Sequence, residues 1–355
     1  MKILFLCRYS CLGASSRLRA IQYIGSIEHH FISCRVQNLF CDSYLEKIYS
    51  NKRTPYLLIF KAYAKRLFNL CFVMKYDLIF LEKEVFPGLP AFVERLWKYF
   101  SIRYVVDYDD AIFINYRKTK KHWHQKILRH KIDYIMRNAE CVIAGNQYLY
   151  EYALKAGAKK TLILPTVVDI NRYPVKCLHE FTPDFFIVGW IGTSKTVRYL
   201  NEIIPILEKN THAPIKLNII GVSIDDVIPT CLSVECIPWS EDTEAQEIVK
   251  FDVGIMPLPD DDWSRGKCGY KLIQYMASGI PVIGSPVGVN AEIIDHKING
   301  FLVSNIHEWN EYINTIYNSP ALAMRMGASG RKRVSEQYSL ETNMPKLIEC
   351  LISNC

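Results

Sequence analysis

Short apolar runs separated by amphipathic stretches recur along nearly the whole chain, and this alternation restricts the fold more than any other feature. Runs of this length flanked by turn residues read as buried strands, and the longer stretches after them read as helical crossovers, which is the pattern of parallel sheets covered by helices. KILFLC (2–7), YDLIFLEKE (76–84), RYVVDYDD (103–110), CVIAGN (141–146) and TLILPT (161–166) are expected to form a first sheet. FFIVGWIG (185–192), IKLNIIG (215–221), VECIP (234–238), FDVGIMPLP (251–259), IPVIGS (280–285) and GFLVS (300–304) are expected to form a second. The predicted class is α/β, with two Rossmann-like units in tandem. The stretch 171–184, bracketed by Pro174 and Pro183 and without clear periodicity, is the expected break. The expected domains are 1–173 and 174–337, with a closing helix over 338–355 that packs back on the first domain. Ser339 is its expected cap, and Leu347, Ile348, Leu351 and Ile352 its apolar face. Units of this kind bind ligands at the carboxyl ends of their strands, so a cleft between the two parallel sheets is the expected site.

A length of 355 residues suits two domains, and 50% apolar against 22% charged residues describes a folded chain rather than a disordered one. The twelve cysteines include no CxxC pair with zinc-like spacing, which suits a reducing compartment and gives no metal centre. The opening MKILFLC is interrupted at Arg8, short of a signal-peptide core, and no run reaches the roughly 18 to 20 apolar residues of a spanning helix. A cytoplasmic protein, soluble or peripheral at the inner face of a membrane, is expected. Two basic aromatic regions, 117–137 and 51–75, suit an anionic membrane surface. Nucleic acid competes for such patches, but no nucleic-acid module accompanies them, and none is expected as a partner. For 51–75 the plain alternative is a core helix with a solvated basic side.

The chemistry concentrates in WSRGKCGYKLIQYMASGIPVIGSPVG, residues 263–288. A basic, glycine-containing loop, Arg265-Gly266-Lys267-Cys268-Gly269, leads into a helix that Gly279 ends. On that helix Leu272 and Met276 would face the core, whereas Lys267, Lys271, Gln274 and Ser278 follow helical spacing along another side. Amides at a helix start together with full positive charges attract anions, most economically a diphosphate. An ordinary solvated face is the bland reading of the same cations.

In the first half, Gly13-Ala14-Ser15-Ser16-Arg17-Leu18-Arg19 follows the first strand, where a loop and helix start can meet phosphates or an acceptor. A helix capped by Ser15 or Ser16 explains the stretch equally well. Asp107 to Asp110 end another strand and invite a magnesium or manganese reading, although strand-end carboxylates also cap helices and orient hydroxyls. Glu82 and Glu84 lie at a strand end where an acceptor hydroxyl can be bound or deprotonated.

The run YKLIQYMASGIPVIGSPVGVNAEIIDHKINGFLV resembles the donor-nucleotide segment of family 4 glycosyltransferases, retaining enzymes of the GT-B architecture. YSCLGASSRLR, VIAGNQYLYEYA, LPTVVDINRY and VGWIGTSKT extend the resemblance over most of the chain. It implies transfer of a sugar from a nucleotide-diphosphate sugar to a saccharide or lipid-linked saccharide hydroxyl, in cell-surface polysaccharide or glycoconjugate synthesis, without metal or other cofactor. It also implies that Lys267, Lys271 and Arg265 offset charge on the departing diphosphate. Gly13, Arg17, Gly192, Thr193, Lys195, Gly269, Gln274 and Glu292 would bind the donor, and Arg19, Glu82, Asp109 and Asp110 the acceptor. Departures accompany the match: the family's second glutamate falls on Gln274, its first on Gly266, and a common arginine on Thr193, with Lys195 and Arg198 nearby. One of Asp260, Asp261 and Asp262 is the expected stand-in for the first glutamate. A non-catalytic nucleotide- or saccharide-binding subunit and a nucleotide-sugar epimerase of the same fold are the alternatives.

Overall fold

The computed structural model describes residues 1–49, 56–117, 127–176 and 184–355. Residues 118–126 of the basic stretch 117–137, residues 51–55 of the 51–75 region and residues 177–183 of the expected break lie outside the described residues. Among those described, each expected run contains a strand, and the strands form two six-stranded, all-parallel sheets.

The first sheet comprises β1 (Lys2–Cys7), β2 (Ser33–Asn38), β3 (Leu78–Glu82), β4 (Tyr104–Tyr108), β5 (Cys141–Ala144) and β6 (Thr161–Ile163), in the order β2-β1-β3-β4-β5-β6. Its central strands β3, β4 and β5 are buried along their whole length, which is why they read as continuous apolar runs rather than as alternating ones. The exception is β2, SCRVQN, absent from the strands expected above. It pairs with β1 alone from Lys2↔Ser33 to Cys7↔Asn38 and stays partly exposed at the sheet edge, so only tertiary pairing makes it a strand. Three helices of this unit matter below: α1 (Ala14–Arg19), α2 (Tyr56–Leu70) and α3 (Phe92–Tyr99).

The second sheet comprises β7 (Phe186–Ile191), β8 (Ile215–Ile220), β9 (Ser233–Ile237), β10 (Val253–Met256), β11 (Val282–Gly284) and β12 (Gly300–Leu302). Its order, β12-β11-β10-β7-β8-β9, reverses direction between β7 and β10, and such a switch point opens a crevice at the carboxyl ends of the strands. The helices that frame it are α4 (Val197–Asn201), α5 (Asp262–Arg265), α6 (Tyr270–Ala277) and α7 (Asn290–Ile293). Leu272, Tyr275 and Met276 of α6 are buried in the core beneath the sheet, and the Ile191 amide donates to the Tyr275 hydroxyl at 2.9 Å, which ties α6 to the end of β7.

One compact unit consists of Met1–Thr166, Gly266–Cys268 and Asn343–Cys355, and the other of Val167–Arg265 and Gly269–Thr342. The chain closes with α8 (Leu340–Ser353), whose Thr342 amide donates to the Ser339 hydroxyl as its expected cap. Leu347, Ile348 and Leu351 are buried, whereas Ile352 is exposed.

The cysteines divide by environment. Cys7 and Cys268 are enclosed, and burial raises both thiols, Cys268 to about 12. Cys41 is exposed, and its hydrogen bond with Ser43 holds it below the ordinary thiol range. Because the thiolate is the nucleophile, brief alkylation with iodoacetamide at about pH 7.5 is expected to modify Cys41 first and to leave Cys7 and Cys268 untouched until the chain unfolds. Peptide mass spectrometry over a time course reads that order, and early labelling of Cys268 would contradict it.

Candidate active site

At the β7–β10 switch point the second unit presents a cationic strand end. Trp190 on β7 is buried, and its ring folds back beneath Gly192, where a Cβ would fall 2.1 Å from the indole. The Lys271 ammonium stands 3.9 Å from the Trp190 ring centroid, a cation–π contact that fixes the charge at this position. The turn after β7 is closed locally: the Thr193 amide donates to Thr196 Oγ1 at 3.1 Å, and the Thr193 carbonyl accepts from Thr196 and Val197. Lys195 and Arg198 are exposed on this turn and on α4. Arg198 donates to the Tyr199 hydroxyl at 2.9 Å and feels the Asp261 charge, which brings α4 close to the Asp260–Asp262 turn.

The expected helical row of Lys267, Lys271, Gln274 and Ser278 does not form. Gly269, at φ +65°, caps α6 in the left-handed region, so the helix starts at Tyr270 and Lys267 precedes it. A side chain at Gly269 would also meet Ile293 at 2.4 Å. Gln274 is buried and donates to the Tyr173 hydroxyl at 3.1 Å; Tyr173 reaches Glu244, which accepts from the Trp239 indole at 2.7 Å. This network holds Gln274 in the interior. Ser278 is fully buried as well.

Arg265 lies on α5, not in a loop, and pairs with Asp260 through Nε at 2.7 Å and Nη2 at 3.0 Å. Asp261 caps the same helix by accepting from the Ser264 amide at 2.7 Å. The acids expected to replace the missing glutamate are thus engaged locally, Asp260 with Arg265 and Asp261 with the helix start. Glu292 is exposed on α7, and partial burial pushes its carboxyl up.

The first unit has its own polar strand ends, at β1, β3 and β4. Neither Ser15 nor Ser16 caps α1; Gly13 occupies that position, and Ser16 Oγ instead donates to Glu82 at 2.5 Å. Glu82 is buried and also accepts from the Arg8 amide, so it is not the acceptor-facing group expected from its strand-end position. Glu84 is likewise enclosed, paired with Lys131 at 2.6 Å. Arg17 donates to the Cys11 carbonyl at 2.8 Å. Arg19 is closed off completely: Nε and Nη2 reach Asp107 at 2.5–3.2 Å, and Nη1 donates to the Leu164 carbonyl at 2.7 Å. Buried and with its nitrogens turned inward, it holds α1 to β4 and to the residue that follows β6.

Beside them lies a cluster that the sequence reading only half contained, with Lys83 buried and Asp110 partly exposed. Lys83, at φ +65° directly after β3, sits 2.7 Å from Asp109 and 3.5 Å from Asp110. A non-glycine residue in the left-handed region costs about 1–3 kcal/mol, and such strain gathers at functional sites. Burial opposes the Lys83 charge, but the two aspartates outweigh it and hold its ammonium far above the ordinary lysine range. Its ammonium stands where the metal reading of these acids would place a cation. Burial raises Asp109 too, but Lys83 more than compensates and holds it low; Asp110 is pushed up by burial and by Asp109. Lys267 belongs to this unit, its carbonyl accepting from Asn146 at 2.8 Å and its charge acting on Asp110. Its neighbour Gly266 has no room for the family's glutamate, since a Cβ there would lie 2.5 Å from the Ala111 Cβ. Lys83 was missed because a lysine between Glu82 and Glu84 looks like a solvated charge run; its position at a strand end was the available signal. Trp190 carried no signal beyond apolarity.

Residues 182–319 match the family model for glycosyl transferases group 1. The chain carries a group 1 glycosyl transferase domain. Solved GT-B structures share the whole fold: a sucrose-phosphate synthase from Thermosynechococcus elongatus superposes with a TM-score of 0.73 at 15% identity, over 99% of this chain and 98% of that one. Anabaena HepE in complex with UDP-glucose superposes with a TM-score of 0.71 at 19% identity, over 99% and 100%. An uncharacterized 41.2 kDa protein in the cps region of Klebsiella pneumoniae is 25% identical over 272 residues, 67% of this chain and 72% of that protein. This chain has the GT-B architecture, and the glycosyl transferase match lies in residues 182–319. The matched segment contains Thr193, Lys195, Arg265, Lys267, Lys271, Gln274 and Glu292.

Proposed function

We propose that this chain is a glycosyltransferase that takes a nucleotide-diphosphate sugar on its second unit and passes the sugar, with retention, to a saccharide hydroxyl bound on its first. The observation that carries the reading is the Lys271 ammonium held over Trp190 at the β7–β10 switch point. As the bond from the anomeric carbon to the diphosphate breaks, charge grows on the departing oxygens. A fixed ammonium placed there stabilises the transition state without reorganising first. Lys195 and Arg198 extend the same positive field toward the phosphates, and Glu292 holds donor hydroxyls. On the acceptor side Asp110, less deeply enclosed than Asp109 and raised in pKa, takes the hydroxyl hydrogen as the new bond forms. The cps-region location of the Klebsiella relative supports an acceptor in polysaccharide synthesis.

A thermal-shift screen against UDP, GDP, ADP and CDP tests the donor side. A nucleotide at about a hundred times its dissociation constant stabilises the folded state by about 2.7 kcal/mol, which a melting curve resolves easily. The expected result is one nucleoside diphosphate that shifts the melting temperature, and release of that nucleotide from its sugar form when acceptor is added. Binding without release would instead identify a non-catalytic binding subunit, and isomerised donor sugar without acceptor would identify an epimerase.

A further inference from the structure

We propose that the outer face of α2 and α3 in the first unit is a docking surface for an anionic lipid bilayer. Helix α2 departs from a core helix with a solvated basic side in exposing large apolar side chains as well as lysines. Its Arg66 is turned inward, donating to the carbonyls of Cys7 and Gln37 at 2.5 and 2.9 Å, while Phe60 and Phe68 are 71% and 66% exposed. Leu57 and Leu67 are exposed beside them, so the solvent side of α2 is an apolar stripe.

The stripe continues onto α3. The connections β2→β3 and β3→β4 step in the same direction across the sheet, and right-handed crossovers therefore place α2 and α3 on one face. Tyr63 of α2 meets Phe86 at 5.1 Å, and Phe86 stacks on Phe92 of α3 at 5.7 Å. From α3, Leu96 and Tyr99 are exposed, Tyr99 by 80%.

Charge selects the occupant. Lys61 and Lys65 on α2 and Arg95 and Lys98 on α3 are exposed beside the stripe. Helix α2 contains no acid, and the only acid of α3, Glu94, is buried and accepts from the Val85 amide at 3.1 Å. An apolar face edged by cations alone matches the acyl boundary and phosphates of an anionic leaflet. Helix α2 has 15 residues, about 22 Å of length, and no helix among the described residues is long and apolar enough to cross a membrane, so the contact lies along the surface. This surface stands independently of the sugar-transfer reading.

Flotation of the full chain with phosphatidylcholine vesicles, with and without about one quarter phosphatidylglycerol, tests the proposal. The chain should float with the anionic vesicles and be released by salt. Phe60→Glu with Phe68→Glu should abolish flotation at an unchanged melting temperature, with transfer to a soluble acceptor preserved. Lys61→Gln with Lys65→Gln should lower partitioning about thirtyfold, since each lysine contributes about fivefold. Absence of flotation, equal recovery on neutral and anionic vesicles, or a dimer in solution that Phe60→Glu with Phe68→Glu returns to monomer would each overturn it, the last by making a second copy of the chain the occupant.

Discussion

Replacing Lys271 by alanine is expected to lower kcat by about two to three orders of magnitude while changing KM by less than about tenfold. The side chain is placed by packing rather than by its own flexibility, because α6 is anchored through Tyr275 to the end of β7 and the ammonium rests over Trp190. A charge that is already oriented stabilises developing negative charge more than it stabilises the bound ground state, so turnover should suffer first. Lys271→Arg should recover part of the rate, since it keeps the charge but alters its geometry over the indole. Initial rates of nucleotide release across donor concentrations separate the two parameters. A variant with unchanged kcat and raised KM would make Lys271 a ground-state binder, and unchanged kinetics would remove it from the reaction.

Arg19→Ala is expected to destabilise the first unit by about 3–5 kcal/mol, because it leaves the Asp107 carboxylate enclosed without its partner. The Leu164 carbonyl would lose its donor in the same step. The loss should depend on pH in a definite direction. Burial already pushes the Asp107 carboxyl above its ordinary range, with Arg19 pulling it back. Without Arg19 the folded chain keeps that proton to still higher pH, whereas the unfolded chain releases it near pH 4. Wild type releases that proton at about 6, so the variant's extra loss grows as pH rises above about 6 toward its own, higher folded-state value. Urea denaturation of wild type and variant at about pH 5 and pH 8 should therefore show the larger difference at pH 8, and Asp107→Asn in the Arg19→Ala background should flatten it. A loss below about 1 kcal/mol, or one that shrinks with rising pH, would be inconsistent with an enclosed ion pair.

The parallel sheets were legible because their strands are buried on both faces, and burial on both faces leaves an uninterrupted apolar run in the chain. Strand β2 escaped because an edge strand has little to bury, so SCRVQN has no pattern to read. The cationic loop before α6 was legible as a cluster of charge, but not how that charge is distributed. Lys267 and Lys271 are four residues apart and seemed to share a helix face, yet the left-handed turn at Gly269 breaks the register between them. Glu82 and Arg19 illustrate a second failure: both carry charge at strand or helix ends, and whether such a charge faces water or the interior depends on partners far along the chain, Ser16 for one and Asp107 for the other. Arg66 is enclosed in the same way, its partners being carbonyls of β1 and β2.

By itself the sequence determined the fold class, every strand but β2 and the segment where positive charge collects, because local periodicity and turn chemistry act over a few residues. Tertiary structure alone decided where the polar groups go: it closed Arg19, Glu82, Gln274 and Arg66 into buried hydrogen bonds, set Lys83 beside Asp109 and Asp110, and stood Lys271 over Trp190. Burying a charge costs several kcal/mol unless a partner is in place, and such partners are brought together only when distant segments pack.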